Sequence, residues 1–209
     1  MDIVHPQIDK YLNSLLQERH AKLHEMEAFA KERDFPIVGP LVGRLLFQYV
    51  KITGAKRVLE LGSGFGYSAA WIASALPQDG NLICTEASQN LVDLAEDYLK
   101  VLGVLDKVRL HNGDAVKYLR QATGPFDLIF NDVDKEQYPE VEELAYDRLK
   151  TGGLLISDNA LFHGRILAER PDNNAKGILQ YNETVHIPER WWTTILPLRD
   201  GLAVSIKVD

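Results

Sequence analysis

The chain has 209 residues, a formal net charge of −7 and a single cysteine. This length predicts one domain with one sizeable core. The acidic balance makes a nucleic-acid partner improbable, because nucleic-acid affinity rests largely on clustered lysine and arginine. Because Cys84 is the only cysteine, an internal disulfide is excluded. Its place in a predicted central strand favours a packed, unreactive thiol. With no signal peptide and no apolar run near the roughly 18 residues that span a bilayer, we expect a cytoplasmic protein without a membrane partner.

Residues 1–54 are expected to form N-terminal helices and a lid. Apolar residues recur at helical spacing between residues 6 and 33, which indicates one amphipathic helix or a pair. Pro36, Gly39 and Pro40 interrupt this pattern before a second helical stretch that ends at Gly54, and the loop between them could cover a ligand. The amphipathic stripe could serve a homodimer or pack on its own sheet.

Residues 55–209 are expected to form an α/β core. Five apolar runs alternate with helical segments, and this alternation predicts a mostly parallel sheet with helices on both faces. The expected strands are 57–61, 81–86, 107–111, 126–131 and 153–157, and the expected helices are 66–76, 89–102, 115–121 and 136–149. Two final β-like runs, 192–197 and 202–207, flank an Asp-Gly turn signal and predict a C-terminal antiparallel hairpin, which brings the sheet to seven strands.

The segment VLELGSGFGYS, residues 58–68, predicts a cofactor site. A buried strand meets Gly62, Gly64 and Gly66, which permit a tight turn and the close approach of a ligand. A carboxylate at Glu60, inside so apolar a strand, costs free energy unless a cationic ligand group pairs with it. Glu86 ends the next strand, about 20 residues beyond the glycines, where an acid that binds ribose hydroxyls is expected. The G-x-G-x-G spacing disfavours a pyrophosphate, although an NAD-linked oxidoreductase stays an alternative.

A second group of polar residues follows the later strands. If strands 126–131 and 153–157 are neighbours about 4.8 Å apart, Asp132 comes within reach of Asp158 and Asn159 around one cation. Two carboxylates and an amide suit a hard ion such as Mg²⁺. Lys135 lies three positions after Asp132 and is the candidate base.

Six segments in order resemble the class I S-adenosylmethionine-dependent methyltransferases, and more narrowly the cation-dependent O-methyltransferases of the catechol and caffeoyl-CoA type. They are VLELGSGFGYS, ICTEAS (83–88), NGDA (112–115), FDLIFNDVDKEQY (126–138), GGLLISDNALFHG (152–164) and LPLRDGLAVS (196–205). The resemblance covers nearly all residues from Val38 onward. It implies a Rossmann-like fold, S-adenosyl-L-methionine and a divalent cation, with Mg²⁺ favoured, as cofactors, and methyl transfer to a hydroxyl of a catechol-like or hydroxycinnamoyl small molecule.

The resemblance also implies roles for individual residues. Glu60 and Ser68 are expected at the methionine end of the cofactor, Asp132 at its amino group, and Asp114 with Ala115 at its adenine side. The full expected cofactor set is Val38, Glu60, Gly62, Ser63, Gly64, Ser68, Glu86, Asp114, Ala115 and Asp132, and the expected metal ligands are Asp132, Asp158 and Asn159. A phenol with a pKa of about 10 is a poor nucleophile at neutral pH, so a cation that stabilises its oxyanion and a lysine that accepts its proton would both promote the reaction.

Several positions depart from the family pattern and leave the acceptor open. Of the family's acid, glycine and glutamine near residues 38–44, the glycine is kept as Gly43, whereas Val42 replaces the acid or its neighbour and Arg44 replaces the glutamine. Phe162 stands where tryptophan is frequent. Two other functions stay open: methylation of a hydroxylated transfer-RNA nucleoside, and non-catalytic cofactor binding. His20 and His24 have i, i+4 spacing but lack the glutamate of a metalloprotease motif, so surface positions are expected for them.

Overall fold

A computed structural model describes residues 1–209, the whole sequence, as one seven-stranded sheet with helices on both sides. The strands are β1 (Arg57–Leu61), β2 (Asn81–Glu86), β3 (Val108–Asn112), β4 (Phe126–Asn131), β5 (Leu149–Ser157), β6 (Trp191–Leu196) and β7 (Leu202–Lys207). The helices are α1 (Pro6–Ser14), α2 (Ala21–Glu32), α3 (Gly39–Thr53), α4 (Tyr67–Ala75), α5 (Gln89–Val101), α6 (Ala115–Gln121), α7 (Tyr138–Arg148) and α8 (Asn173–Thr184). Short 3₁₀ turns cover Leu105–Lys107, Lys135–Gln137 and Phe162–Leu167.

The strand order is β3-β2-β1-β4-β5-β7-β6, and strands β1 to β5 run parallel. Strand β7 is antiparallel to both of its neighbours, β5 and β6. This arrangement confirms the expected mostly parallel, seven-stranded sheet with a C-terminal hairpin. The order reverses between β1 and β4, and the carboxyl ends of strands at such a switch point form the crevice in which ligands bind.

Alternate strand residues face opposite sides of the sheet, and each side has its own core. In β1, for example, Val58 packs with helices α2, α3, α4 and α5 on one side of the sheet. Leu59 and Leu61 pack with α6, α7 and α8 on the other side. Cys84 is fully buried in the first of these cores, as expected for an unreactive thiol.

The N-terminal segment forms a pair of helices. Leu23 and Met26 of α2 are buried against the core, whereas α1 has no buried residue. Two large apolar residues of α1, Ile8 and Tyr11, and its C-cap residue Leu15 are more than half exposed. A homodimer through this face stays a prediction. None of the helices combines the length and the apolar character needed to cross a membrane.

Several element boundaries differ from the sequence expectation by one or two residues, and the start of β5 differs by four. Helix α7 ends at Arg148 rather than at residue 149, and β5 begins at Leu149 rather than at residue 153, because Leu149 adopts an extended backbone and pairs with Phe126 of β4. The hairpin strand β6 begins one residue earlier than expected. Its first residue, Trp191, is buried, and Trp192 is 73% exposed.

Candidate functional site

A cavity of about 510 Å³ opens at the carboxyl ends of β1, β2, β4 and β5. This volume lies in the usual range for small-molecule sites. Residues 35–38, between α2 and α3, form part of its wall, and a lid function for this loop stays a prediction. All but one of the expected site residues line it: Val38, Gly62, Ser63, Gly64, Ser68, Glu86, Asp114, Ala115, Asp132, Lys135, Asp158 and Asn159. Glu60, the exception, is fully buried.

The glycine turn brings the backbone of two strands into close contact. Gly62 has φ +83°, and a Cβ atom there would lie 2.5 Å from the carbonyl oxygen of Asp132. Only glycine fits both the left-handed conformation and this approach. Gly62 N–H donates to the carbonyl of Thr85 at 3.1 Å, which fixes the turn to the end of β2. The turn therefore places the cofactor half of the cavity directly beside Asp132.

Glu60 is an acid with incomplete hydrogen bonding. Cys84 Sγ donates to its Oε2 at 3.2 Å, while its Oε1 is buried without a partner. Burial raises the pKa of Glu60 to about 7, although the Ser68 hydroxyl and the Cys84 thiol offset part of this effect. An unpartnered buried carboxylate oxygen is costly, and a cationic ligand group would offset that cost.

The other strand-end acids are held by backbone N–H groups. Glu86 accepts hydrogen bonds from Gly64 N–H at 3.0 Å and Ser88 N–H at 2.8 Å, one on each carboxylate oxygen. These bonds hold the carboxylate beside the glycine turn and leave lone pairs for further donors. Asp114 accepts from Lys117 N–H at 2.7 Å and so caps α6 as well as lining the cavity.

Asp132 and Asp158 lie together because β4 and β5 are neighbours. Asn131 pairs with Ser157 in the sheet register, and each aspartate is the next residue in its chain. Asp158 is nearly completely buried. Burial, and then the negative charge of Asp132, raise the pKa of Asp158. Two carboxylates in one poorly solvated wall repel each other, and nearby positive charge stabilises them.

Two side-chain cations pair with these carboxylates. Lys135 Nζ donates to Asp132 Oδ1 at 2.9 Å and to the carbonyl of Val133 at 3.1 Å. Arg199 Nη1 donates to Asp158 Oδ2 at 3.3 Å, while Asp158 Oδ1 is buried without a partner. Each carboxylate is therefore paired, but one oxygen of Asp158 is still available to a ligand.

Asp200 orients the third expected metal ligand. The Nδ2 group of Asn159 donates to Asp200 Oδ2 at 3.3 Å, which leaves the Asn159 carbonyl oxygen as its free acceptor. The buried Asp200 also accepts a hydrogen bond from the backbone N–H of His163. No three histidine, cysteine, aspartate or glutamate side chains gather closely enough to hold a metal ion by themselves. The expected set contains only two carboxylates, and metal binding stays a prediction.

Sequence reasoning missed the importance of Arg199 and Asp200. Both line the cavity, yet in the sequence they stand out only as part of a hairpin turn. Arg199 has φ +50°, an uncommon conformation for a residue other than glycine, but φ cannot be observed in a sequence.

Other residues that the sequence analysis singled out lie outside the cavity wall. Arg44, which replaces the family's glutamine, donates to the carbonyl of Gln17 at 2.6 Å and is not part of the cavity wall. Gly43 packs against Trp71. His20 is exposed and accepts from Lys22 N–H as the N-cap of α2, and His24 is also on the surface, as expected. Lys135 and Arg199 are the only lysine and arginine in the cavity wall.

The fold and the site together define a class of protein. A Rossmann-like sheet with a C-terminal antiparallel hairpin, and a glycine turn that shares one cavity with strand-end acids, is the architecture of a cofactor-dependent methyltransferase. The sequence profile of the family described as O-methyltransferase matches residues 13–208. The chain belongs to this O-methyltransferase family.

Similar proteins agree with the assignment. The chain is 32% identical over 212 positions to a catechol O-methyltransferase from Niastella koreensis, with 95% of this chain and 96% of the relative covered. It is 29% identical to caffeoyl-CoA O-methyltransferase 1 from Eucalyptus globulus, with 79% and 72% covered. The crystal structure of an O-methyltransferase from Bacillus cereus in complex with S-adenosylhomocysteine has a TM-score of 0.87 at 28% identity, with 96% and 97% covered. The chain is an S-adenosylmethionine-dependent O-methyltransferase of the catechol and caffeoyl-CoA type.

Proposed function

We propose that this protein, acting as a single domain of residues 1–209, transfers a methyl group from S-adenosylmethionine to one hydroxyl of a catechol-like or hydroxycinnamoyl small molecule, with the help of a divalent cation. The observation that carries the proposal is the shared cavity: Asp132, Lys135, Asp158 and Asn159 lie in the same wall as the glycine turn. The relatives' names supply the acceptor class, since they include catechol and caffeoyl-CoA O-methyltransferases.

The cofactor half of the cavity suits a sulfonium nucleoside. Glu86 would accept hydrogen bonds from ribose hydroxyls, and the nearby Asp114 and Ala115 would contact the adenine. Val38, Ser63 and Ser68 complete this half. At the other end, the negative charges of Glu60 and Asp132 favour the cationic methionine portion. Two solved relatives, from Bacillus cereus and Streptomyces achromogenes, are complexes with S-adenosylhomocysteine and S-adenosylmethionine.

The acceptor half suits a hard divalent cation. Asp132, Asp158 and Asn159 would hold it, because carboxylate and amide oxygens are the donors that Mg²⁺ prefers. The unpartnered Oδ1 of Asp158 and the carbonyl oxygen of Asn159 are free acceptors in this wall. When bound, the cation would lower the pKa of the acceptor hydroxyl.

Lys135 is the proposed base. Its side chain is 17% exposed and its Nζ donates to Asp132 and to the carbonyl of Val133, so the nitrogen is fixed at the cavity wall. In its neutral form it would accept the proton of the acceptor hydroxyl. The hydroxyl oxygen then forms a bond to the methyl carbon as the carbon–sulfur bond breaks, and the sulfur keeps the electron pair. Alignment of the oxygen, carbon and sulfur atoms supplies much of the rate.

Two measurements test this function. Calorimetric titration with S-adenosylhomocysteine and with NAD should show binding of the first only. Incubation with S-adenosylmethionine, Mg²⁺ and a panel of catechols and hydroxycinnamates should give a singly methylated product by mass spectrometry, and chelation should stop its formation. A rate that survives complete chelation would contradict the metal-dependent mechanism, and binding of NAD alone would contradict the cofactor assignment.

A further inference from the structure

Arg199 occupies an unusual position in the proposed metal site. It follows β6 in the hairpin turn, 41 residues from Asp158 in sequence, and its Nη1 lies 3.3 Å from Asp158 Oδ2. The contact is made through one nitrogen only, so it lacks the two parallel hydrogen bonds of the strongest arginine–carboxylate pairs. The Arg199 side chain is 30% exposed, whereas that of Asp158 is 3% exposed. The carboxylate is thus fixed in the wall and the cation lies towards the solvent.

The backbone at Arg199 is strained. Its φ of +50° lies in the left-handed region, which costs a residue with a Cβ atom free energy that glycine does not incur. A glycine at this position would serve the turn equally well. The arginine in this turn therefore offers no benefit to the local backbone, and its evident contact is with Asp158.

The guanidinium also has room to move. A second cavity of about 290 Å³ lies beside Arg199, and its wall includes the carboxylate residues Asp2 and Asp9. Arg199 lines both cavities. Although Ile3, Val4 and Pro6 also line this cavity, a displaced guanidinium would meet solvent and the carboxylates of Asp2 and Asp9, so leaving Asp158 does not require burial of an unpaired charge.

We propose that Arg199 is a built-in competitor of the divalent cation. Its guanidinium neutralises Asp158 through Oδ2 while no metal is bound, and its positive charge opposes a metal ion at the free Oδ1, so metal binding favours movement of the guanidinium away from the carboxylate. The inference rests on the metal site proposed above. It assigns Arg199 a positioning role: the residue stabilises the metal-free protein and weakens metal binding, because two positive charges cannot share one buried carboxylate without repulsion.

Direct metal binding tests the proposal without any measurement of activity. Free Mn²⁺ is measured by electron paramagnetic resonance during titration of the full-length protein saturated with S-adenosylhomocysteine. Arg199→Gln removes the charge, and Arg199→Gly also relieves the backbone strain. Arg109→Gln is the matched control, since Arg109 is exposed on β3 and makes no ion pair. We expect roughly tenfold tighter Mn²⁺ binding in both Arg199 variants and wild-type affinity in the control.

The outcomes separate this inference from the proposed function. Equal or weaker Mn²⁺ affinity in folded Arg199→Gln or Arg199→Gly would overturn the inference while leaving wild-type metal binding intact. Binding by the variants but not by the wild type would support the inference and contradict metal dependence of the natural protein. If the wild type, Arg199→Gln and Arg199→Gly all fail to bind Mn²⁺, the inference and the proposed metal dependence are both wrong. In thermal unfolding, Mn²⁺ should raise the midpoint of Arg199→Gln more than that of the wild type, because Arg199 is the only side-chain cation that forms an ion pair with the buried Asp158.

Discussion

Lys135 and Asp132 form an ion pair across one turn of chain, with Nζ and Oδ1 2.9 Å apart. The same ammonium lies 5.1 Å from the ring centroid of Tyr138, whose hydroxyl donates to the carbonyl of Asp158 at 2.9 Å. These contacts connect the proposed base to the carboxylate of Asp132 and, through the Tyr138 ring, to the backbone of Asp158. The ion pair fixes the position of the lysine nitrogen at the cavity wall.

Replacement of Lys135 by methionine should reduce kcat by at least about 100-fold, because general-base catalysis contributes gains of this order. Affinity for S-adenosylhomocysteine should change little. Lys176→Met, at an exposed position of α8, is the control and should retain wild-type kcat. Steady-state kinetics and calorimetry supply the two readouts. Unchanged kcat in Lys135→Met would show that another group takes the proton.

Gly62→Ala should abolish measurable cofactor binding and lower the unfolding midpoint. The added methyl group would lie 2.5 Å from the Asp132 carbonyl oxygen, so the turn must open. Gly103→Ala is a close control, since Gly103 also has a positive φ, of +68°, but has no atom within 4 Å of the added carbon. It should lose only about 1 kcal/mol of unfolding free energy, from the backbone conformation alone. Equal effects of the two substitutions would contradict the close-approach argument.

Cofactor affinity should depend on pH through Glu60. Its pKa is raised to about 7 from an ordinary value of 4.5, so this group destabilises the folded, cofactor-free protein increasingly as the pH rises from about 4.5 through 7. The ammonium group at the methionine end, which S-adenosylhomocysteine shares with S-adenosylmethionine, prefers the ionised form of Glu60. Affinity for S-adenosylhomocysteine should therefore fall below pH 7, by up to about tenfold per pH unit. Glu60→Gln should flatten this profile and exposed Glu96→Gln should not. A profile in Glu60→Gln identical to the wild type would contradict the assignment.

Glu86→Gln should weaken S-adenosylhomocysteine binding by roughly tenfold or more, the usual effect of losing a hydrogen bond to a charged group. Both carboxylate oxygens already accept a backbone N–H, from Gly64 and from Ser88, and an amide nitrogen would oppose one of these donors. Calorimetry measures the change, and Asp97→Asn on the exposed side of α5 is the control. Wild-type affinity for S-adenosylhomocysteine in Glu86→Gln would contradict the proposal that Glu86 binds the cofactor.

Much of the fold and of the site could be predicted because the signals are local. The alternation of apolar strands and helices specifies a parallel sheet, and parallel strands bring their carboxyl ends to one edge. Asp132, Asp158 and the glycine turn therefore converge for reasons visible in the sequence. The Lys135–Asp132 pair follows from a spacing of three residues at the start of a helical turn. The boundary of β5 was less predictable, since Gly152 and Gly153 lie inside a strand that continues through them.

The sequence by itself determined the sheet, the glycine turn and the strand-end acids, because periodicity and backbone conformation depend on neighbouring residues. Only the tertiary structure decided which cations face those acids. Arg44 extends to Gln17, while Arg199 reaches Asp158 because the antiparallel strand β7 pairs Ala203 with Ser157 and brings the hairpin turn beside the end of β5. Contacts between residues 41 positions apart depend on the register of the whole sheet, which no local pattern of side chains encodes.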